Sequence, residues 1–141
     1  MEIVKNSMNK VVINIDWIDR NFGAAPQNED IACVATGKTL QEVESAIVDA
    51  LQFHIEGLIA NGDPIPKELR GDWEPVFVLT TRAQLRYSEN FITRKALSVE
   101  TGINEQQLSH YANGWKKPRP ETQRKILDGI HSIARHLSLI L

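Results

Sequence analysis

Strand patterning runs through this chain as far as Thr80 and does not return, which restricts it to folds with a sheet in front and helices behind. Lys10 to Trp17 (KVVINIDW) is rich in β-branched residues and predicts a strand. Asn21 to Pro26 is short and broken by glycine, with room for a second, and Ile31 to Ala35 (IACVA) predicts a third. Gly23, Pro26 and Asn28 are the turn residues of this region. Trp73 to Thr80 (WEPVFVLT) predicts a fourth strand, and Pro75, which cannot donate to a ladder, favours an edge. One long helix separates the third strand from the fourth. Thr39 and Glu42 form a capping-box pair at its start, each side chain placed to satisfy a free N–H. Leu40, Val43, Ile47, Ala50, Leu51, His54 and Leu58 recur at three- and four-residue steps, one stripe to lay on a sheet. Asn61-Gly62 supplies the stop, and Pro64 and Pro66 forbid continuation. His54 reads as a core-edge histidine, since no Cys or acidic partner stands at ligand spacing from it. From Thr81 onward every patterned stretch is helical. The order β-β-β-α-β and then helices is an α+β fold, with a boundary near residues 79–82 and domains over 1–79 and 80–141.

Charge divides at the same place. Residues 1–79 carry 6 Lys+Arg and 13 Asp+Glu, net −7, while residues 80–141 carry 10 and 5, net +5. Opposite signs point to different partners, a basic one for the front and a polyanion for the back; two solvated surfaces of chance composition are the plain alternative. Hydrophobic residues make up 42% of the 141, enough to build a core and against disorder. Cys33 is the only cysteine, so no intrachain disulfide forms; it reads as a small packed hydrophobe in a reducing compartment. The N-terminal run has no apolar segment of signal-peptide length, and no window reaches the ~18 apolar residues of a membrane span. A soluble cytoplasmic protein is expected, with Met1 or Met8 as its start.

The helical half holds a short polar stretch, Thr101 to Arg119 (TGINEQQLSHYANGWKKPR). Thr93 can cap a first helix over TRKALSVET, and Gly102 permits the positive φ of a tight turn. Ile103 follows as a core plug. Asn104 caps a second helix, paired with Gln107 three residues on. That helix buries Leu108, Tyr111 and Ala112, turns Glu105, Gln106, Gln107, Ser109, His110 and Asn113 outward, and ends at Gly114. Two short helices joined by a glycine turn make a helix-turn-helix, whose second helix presents base-reading side chains to the major groove. Gln pairs with adenine, Glu accepts from cytosine, and Ser or His serves either way. Lys116, Lys117 and Arg119 suit phosphates, adding affinity without sequence information. A purely structural helical hairpin is the bland reading of the same pattern. Trp115 either packs on Tyr111 and Pro118, which we expect, or covers the sugar–phosphate edge.

Pro120 opens a last helix. Ile126, Ile130, Ile133, Leu137 and Ile140 recur on it at steps of 4, 3, 4 and 3, a heptad-like seam widened by Leu127, Ala134 and Leu141. We expect a homodimer or higher homo-oligomer built partly on this seam, presenting two reading helices to half-sites ~34 Å apart. An ordinary core helix with a frayed apolar tail is the alternative.

The run G-I-N-x-x-x-L-S-x-Y-x-N-G-x-x-K-P resembles the helix-turn-helix of phage-repressor-like (Xre) proteins. That likeness implies phosphate contacts at Thr93 and Asn113 and base readers at Glu105, Gln106, Gln107 and His110; the reading of the residues themselves adds Asn104 and Ser109 to the DNA-binding set. The segment ATGKTLQEVESAIVDALQFHIEGLIANGDPIP resembles the HicB antitoxins, in which a strand enters a G-x-T-x-x-E helix start, a long helix and a G-x-P-I-P tail. The resemblance covers nearly the whole chain. It implies a partial RNase H-like domain followed by a DNA-binding domain, and an antitoxin that neutralises a small basic RNA-cleaving toxin, HicA, and represses its own operon. Where many HicB proteins carry a Pro-Asp turn, this chain has FGAAPQNEDIAC, so toxin contacts are not carried over one by one. Asp16, Asp19, Glu29 and Asp30 are the candidates for attracting a basic toxin.

Two other functions compete. A two-metal nuclease needs several converging acids. Asp16, Glu44 and Asp49 are available, but Glu44 and Asp49 cannot both face the sheet beside the stripe. No H-x-x-x-H, G-x-S-x-G or P-loop pattern occurs, and no catalysis, metal or cofactor is expected. A solitary helix-turn-helix regulator, whose front domain binds another protein or a ligand, stays open beside the antitoxin.

Overall fold

β1 (Asn9–Ile18) alternates through its middle: Val11, Ile13 and Ile15 are buried, while Val12 is half-buried and Asn14 exposed. A period of two puts the buried set on one face. The computed structural model describes residues 8–140, so Met1 and Leu141 lie outside the described residues. β1 pairs antiparallel with β2 (Asn21–Pro26), from Ile13 opposite Pro26 to Ile18 opposite Asn21. Asp19 and Arg20 make the two-residue turn, at φ 53° and 66°. Two positive φ values match the twist of the flanking strands. The turn therefore falls on Asp19-Arg20, not on Gly23 or Pro26, which lie inside β2.

β2 pairs antiparallel with β3, Phe22 opposite Gly37, and β3 spans Ala35–Gly37. The expected third strand, Ile31–Ala35, is displaced. Ile31 N–H donates to Asn28 O (3.1 Å) and Cys33 N–H to Ile31 O (2.9 Å). Those turns use the amides a ladder would need, and Ile31 serves as a buried anchor instead. β4 (Trp73–Leu79) completes a sheet ordered β3-β2-β1-β4, which places Pro75 on an edge strand as expected.

α1 (Leu40–Asn61) packs on β2 and β3. Thr39 Oγ1 accepts from Glu42 N–H (3.1 Å), and Glu42 Oε2 accepts from Lys38 N–H (3.0 Å), one residue before the expected amide. Val43, Ile47 and Leu51 are fully buried; Leu40, Ala50, His54 and Leu58 flank them half-buried. Gly62 ends the helix at φ 70°, its N–H closing on Ile59 and Leu58 carbonyls. The core is completed by Phe22 and Ala24, with Trp17 edge-on to Phe22 at 4.9 Å. Each fully buried Val, Ile, Leu or Phe here contributes about 1.5–3 kcal/mol by leaving water.

The chain divides into two compact units, 1–78 and 79–141. The second consists of α2 (Thr81–Ser88), α3 (Arg94–Thr101), α4 (Glu105–Ala112) and α5 (Pro120–Ser138). Leu85, Leu97, Leu108, Tyr111, Ala112 and Ile126 form its core, with Ile92, Ile103, Ile130 and Ile133 packed against it. This corrects the seam. Ile126 is wholly buried and so serves the unit itself rather than a partner, while Ile130 and Ile133 pack half-buried against the same core. The close fit comes from Gly129: a Cβ there would stand 2.4 Å from Thr101 Cγ2, so only glycine lets α5 approach α3 this far. Leu137 and Ile140 remain exposed, at 53% and 74%. Among the described residues no helix is long and apolar enough to cross a membrane.

Candidate nucleic-acid interface

α3 and α4 are each eight residues long and capped locally. Thr93 Oγ1 accepts from Ala96 N–H (3.0 Å). Gly102, at φ 76°, closes α3 on Ser98 O. Asn104 Oδ1 accepts from Gln107 N–H (2.8 Å) and starts α4. Ile103, between them, is half-buried against the core, the plug its position suggests. Each cap satisfies an amide that the helix leaves free, which is why so short a segment forms two helices.

Leu108, Tyr111 and Ala112 turn inward on α4, as their spacing requires. Glu105, Gln106 and Asn113 are exposed, while Gln107, Ser109 and His110 are half-buried. Gln106, Ser109, His110 and Asn113 follow steps of three and four and so share one outward line. Glu105 in the first turn suits the positive end of the helix dipole.

The back of this line is a network of side chains that periodicity does not reveal. Arg86 donates from Nε to Ala112 O (3.1 Å) and from Nη2 to Asn113 Oδ1 (2.6 Å). Arg94 Nη1 donates to Ser109 Oγ (2.7 Å). Glu89 joins the two arginines, with Arg94 Nη2 on Oε1 and Arg86 Nη1 3.8 Å from Oε2. Ser109 and Asn113, expected at DNA, thus hold arginines from α3 and α2 while the protein is alone. The only signal in the sequence is the three-residue spacing of Arg86 and Glu89, a common surface pair.

The loop after α4 carries the cations. Lys116, Lys117 and Arg119 are all exposed, and Pro118 between them is buried. Gln123 N–H to Arg119 O (2.9 Å) and Gln123 Nε2 to Pro118 O (3.0 Å) tie the loop to α5. Trp115 departs from expectation. Instead of being buried on Tyr111 and Pro118 it is 72% exposed, and its ring stands 5.6 Å from that of His110.

The acidic candidates of the front unit do not form one patch. Asp19 lies in the β1–β2 turn, and Asp16 is half-buried nearby, its Oδ1 accepting from Trp17 N–H (2.7 Å). Glu29 and Asp30 follow β2 and are exposed. Because Pro26 stands opposite Ile13, they sit at the other end of the β1–β2 hairpin from Asp19. Asp30 N–H donates to Asn28 Oδ1 (3.0 Å), and Asn28 Nδ2 to Glu68 Oε1 (2.9 Å). Glu44 is half-buried, which pushes its carboxyl up; Asp49 is exposed. Among the described residues no three or more His, Cys, Asp or Glu stand where they could hold a metal ion. No family model matches the chain, and no curated protein matches it.

Proposed function

We propose that the chain is a HicB-type antitoxin: residues 80–141 bind operator DNA as an Xre-like helix-turn-helix and repress the operon, and residues 1–79, as a partial RNase H-like domain, bind and neutralise a small basic RNA-cleaving toxin. One observation carries the DNA half. α4 is capped by Asn104, exposes Glu105 and Gln106, and runs straight into the exposed cations Lys116, Lys117 and Arg119. A helix that offers hydrogen-bonding side chains beside free cations suits a major groove with its phosphates. The toxin half is supported by the net charge of −7 over residues 1–79 and by the ATGKTLQEVE…PIP resemblance. Charge of that sign speeds capture of a basic partner.

Residue roles separate in the test. Gln106→Ala should cost ~1–3 kcal/mol at one operator position and relax specificity there. Lys117→Ala should weaken binding to every sequence and flatten the salt dependence. Equal losses on operator and random DNA for both variants would contradict the orientation of α4. For the toxin half, the adjacent reading frame is expressed with and without this chain. A neighbour that stays toxic in its presence would leave a solitary regulator as the better reading.

A further inference from the structure

We propose that Trp115 is a DNA-contacting side chain that lies on the sugar–phosphate edge beside the groove entered by α4. The inference rests on the DNA-binding reading of the helical unit and adds to it a contact of another kind, an apolar face set among cations.

The indole is exposed but its backbone is fixed. Trp115 N–H donates to His110 O (2.9 Å), and Lys116 N–H donates to the same carbonyl (3.3 Å). Gly114 before it has φ 74°, and the Arg82 guanidinium occupies the place a Cβ would take, Nη1 at 2.2 Å. A positive φ favours glycine there, and it sets the direction in which the chain leaves α4. The indole itself is tilted 41° against the His110 ring. At 72% exposure the indole offers an apolar face with a polar N–H on a fixed stretch of backbone.

The surroundings identify the cover. Lys116, Lys117 and Arg119, which follow the indole in the chain, are exposed, and no carboxylate occurs between Leu108 and Pro120. A polyanion with apolar faces fits that set. Phosphates take the ammonium and guanidinium groups, and the C–H face of a deoxyribose takes the ring. Such a contact fixes position and carries no sequence information. His110, whose ring leans on the indole and whose carbonyl anchors the loop, then acts as a positioning residue for Trp115.

The full chain labelled with 5-fluorotryptophan gives one fluorine signal each for Trp17, Trp73 and Trp115, and Trp115→Phe assigns the third. A mixed-sequence duplex about two helical turns long, added at low salt, is the probe. We expect a saturable shift confined to the Trp115 signal, reversed by added salt. Trp115→Ala should weaken duplex binding roughly threefold to tenfold on every sequence, with Trp115→Phe in between. If Lys117→Ala weakens binding while the Trp115 signal stays still and Trp115→Ala binds like the parent, the inference falls and the DNA reading stands. If the parent binds no duplex even at low salt, both fall. A Trp115 signal that moves with protein concentration and no DNA would assign the indole to a protein contact and overturn the inference.

Discussion

At Gly129 two effects of alanine oppose each other. Alanine gains about 1 kcal/mol of helix propensity over glycine. Its Cβ, however, would meet Thr101 Cγ2 at 2.4 Å. Thr101 is buried, and its hydroxyl is held by Leu97 O at 2.7 Å, so the methyl cannot turn away. Overpacking of this kind costs about 1–3 kcal/mol, so Gly129→Ala should lower stability on balance. Thermal melts should show the loss, and adding Thr101→Ser, which removes the methyl and keeps the hydroxyl, should recover most of it. Glu44 offers a test with a defined sign. A carboxyl pushed up by burial binds its proton more tightly in the folded chain than in the unfolded one. It therefore lowers stability above its folded pKa, and the penalty is relieved as pH falls through that value. Glu44→Gln should raise the melting temperature slightly at neutral pH and leave it unchanged in acid. Neither effect follows from sequence spacing: the glycine and the glutamate sit in helical runs like any others, and only their neighbours make them special.

Among the elements, α4 is where local and tertiary control meet. Its start is local. Asn104→Ala removes the acceptor for Gln107 N–H and should cost about 1 kcal/mol, whereas Asn104→Asp should cost little; urea titration distinguishes the two. Its setting is tertiary. Arg86 holds the end of α4 and Arg94 its middle, and Glu89 holds both arginines. The three are part-exposed, so Glu89→Gln should lower stability by about 1 kcal/mol or less, and less again at high salt. α5 shows how a sequence pattern misleads. A heptad-like step describes any helix that buries one side, and here Ile126, Ile130 and Ile133 bury it within the unit. Leu137, near the end of α5, and Ile140 just beyond it are exposed, and we propose that self-association uses them. Sedimentation should show association that Leu137→Glu abolishes with the melting temperature intact, while Ile126→Glu unfolds the helical unit.

For the molecule as a whole, the charge division falls in the uncharged stretch between Glu74 and Arg82, and the boundary of the two compact units lies inside it, with Thr80 alone between β4 and α2. A chain of residues 79–141, net positive, should bind mixed-sequence duplex with a steep salt dependence. Residues 1–78 should show none, and gel-shift titration of each checks the division. What the sequence by itself determined is local: the capped starts of α1, α3 and α4, the glycine turns at Gly62 and Gly102, the edge placement that Pro75 requires, and the buried faces of α1 and α4. Those signals are short-range, because a cap or a stripe needs only residues within a turn or two. Tertiary structure alone decided the displacement of the third strand to Ala35–Gly37, where amides of the preceding loop were already used. It alone split the acidic candidates between two ends of a hairpin, joined Arg86, Glu89 and Arg94 behind α4, and left Trp115 in water. Each of those depends on which distant atoms already occupy a surface or a hydrogen bond, and spacing along the chain carries no record of that.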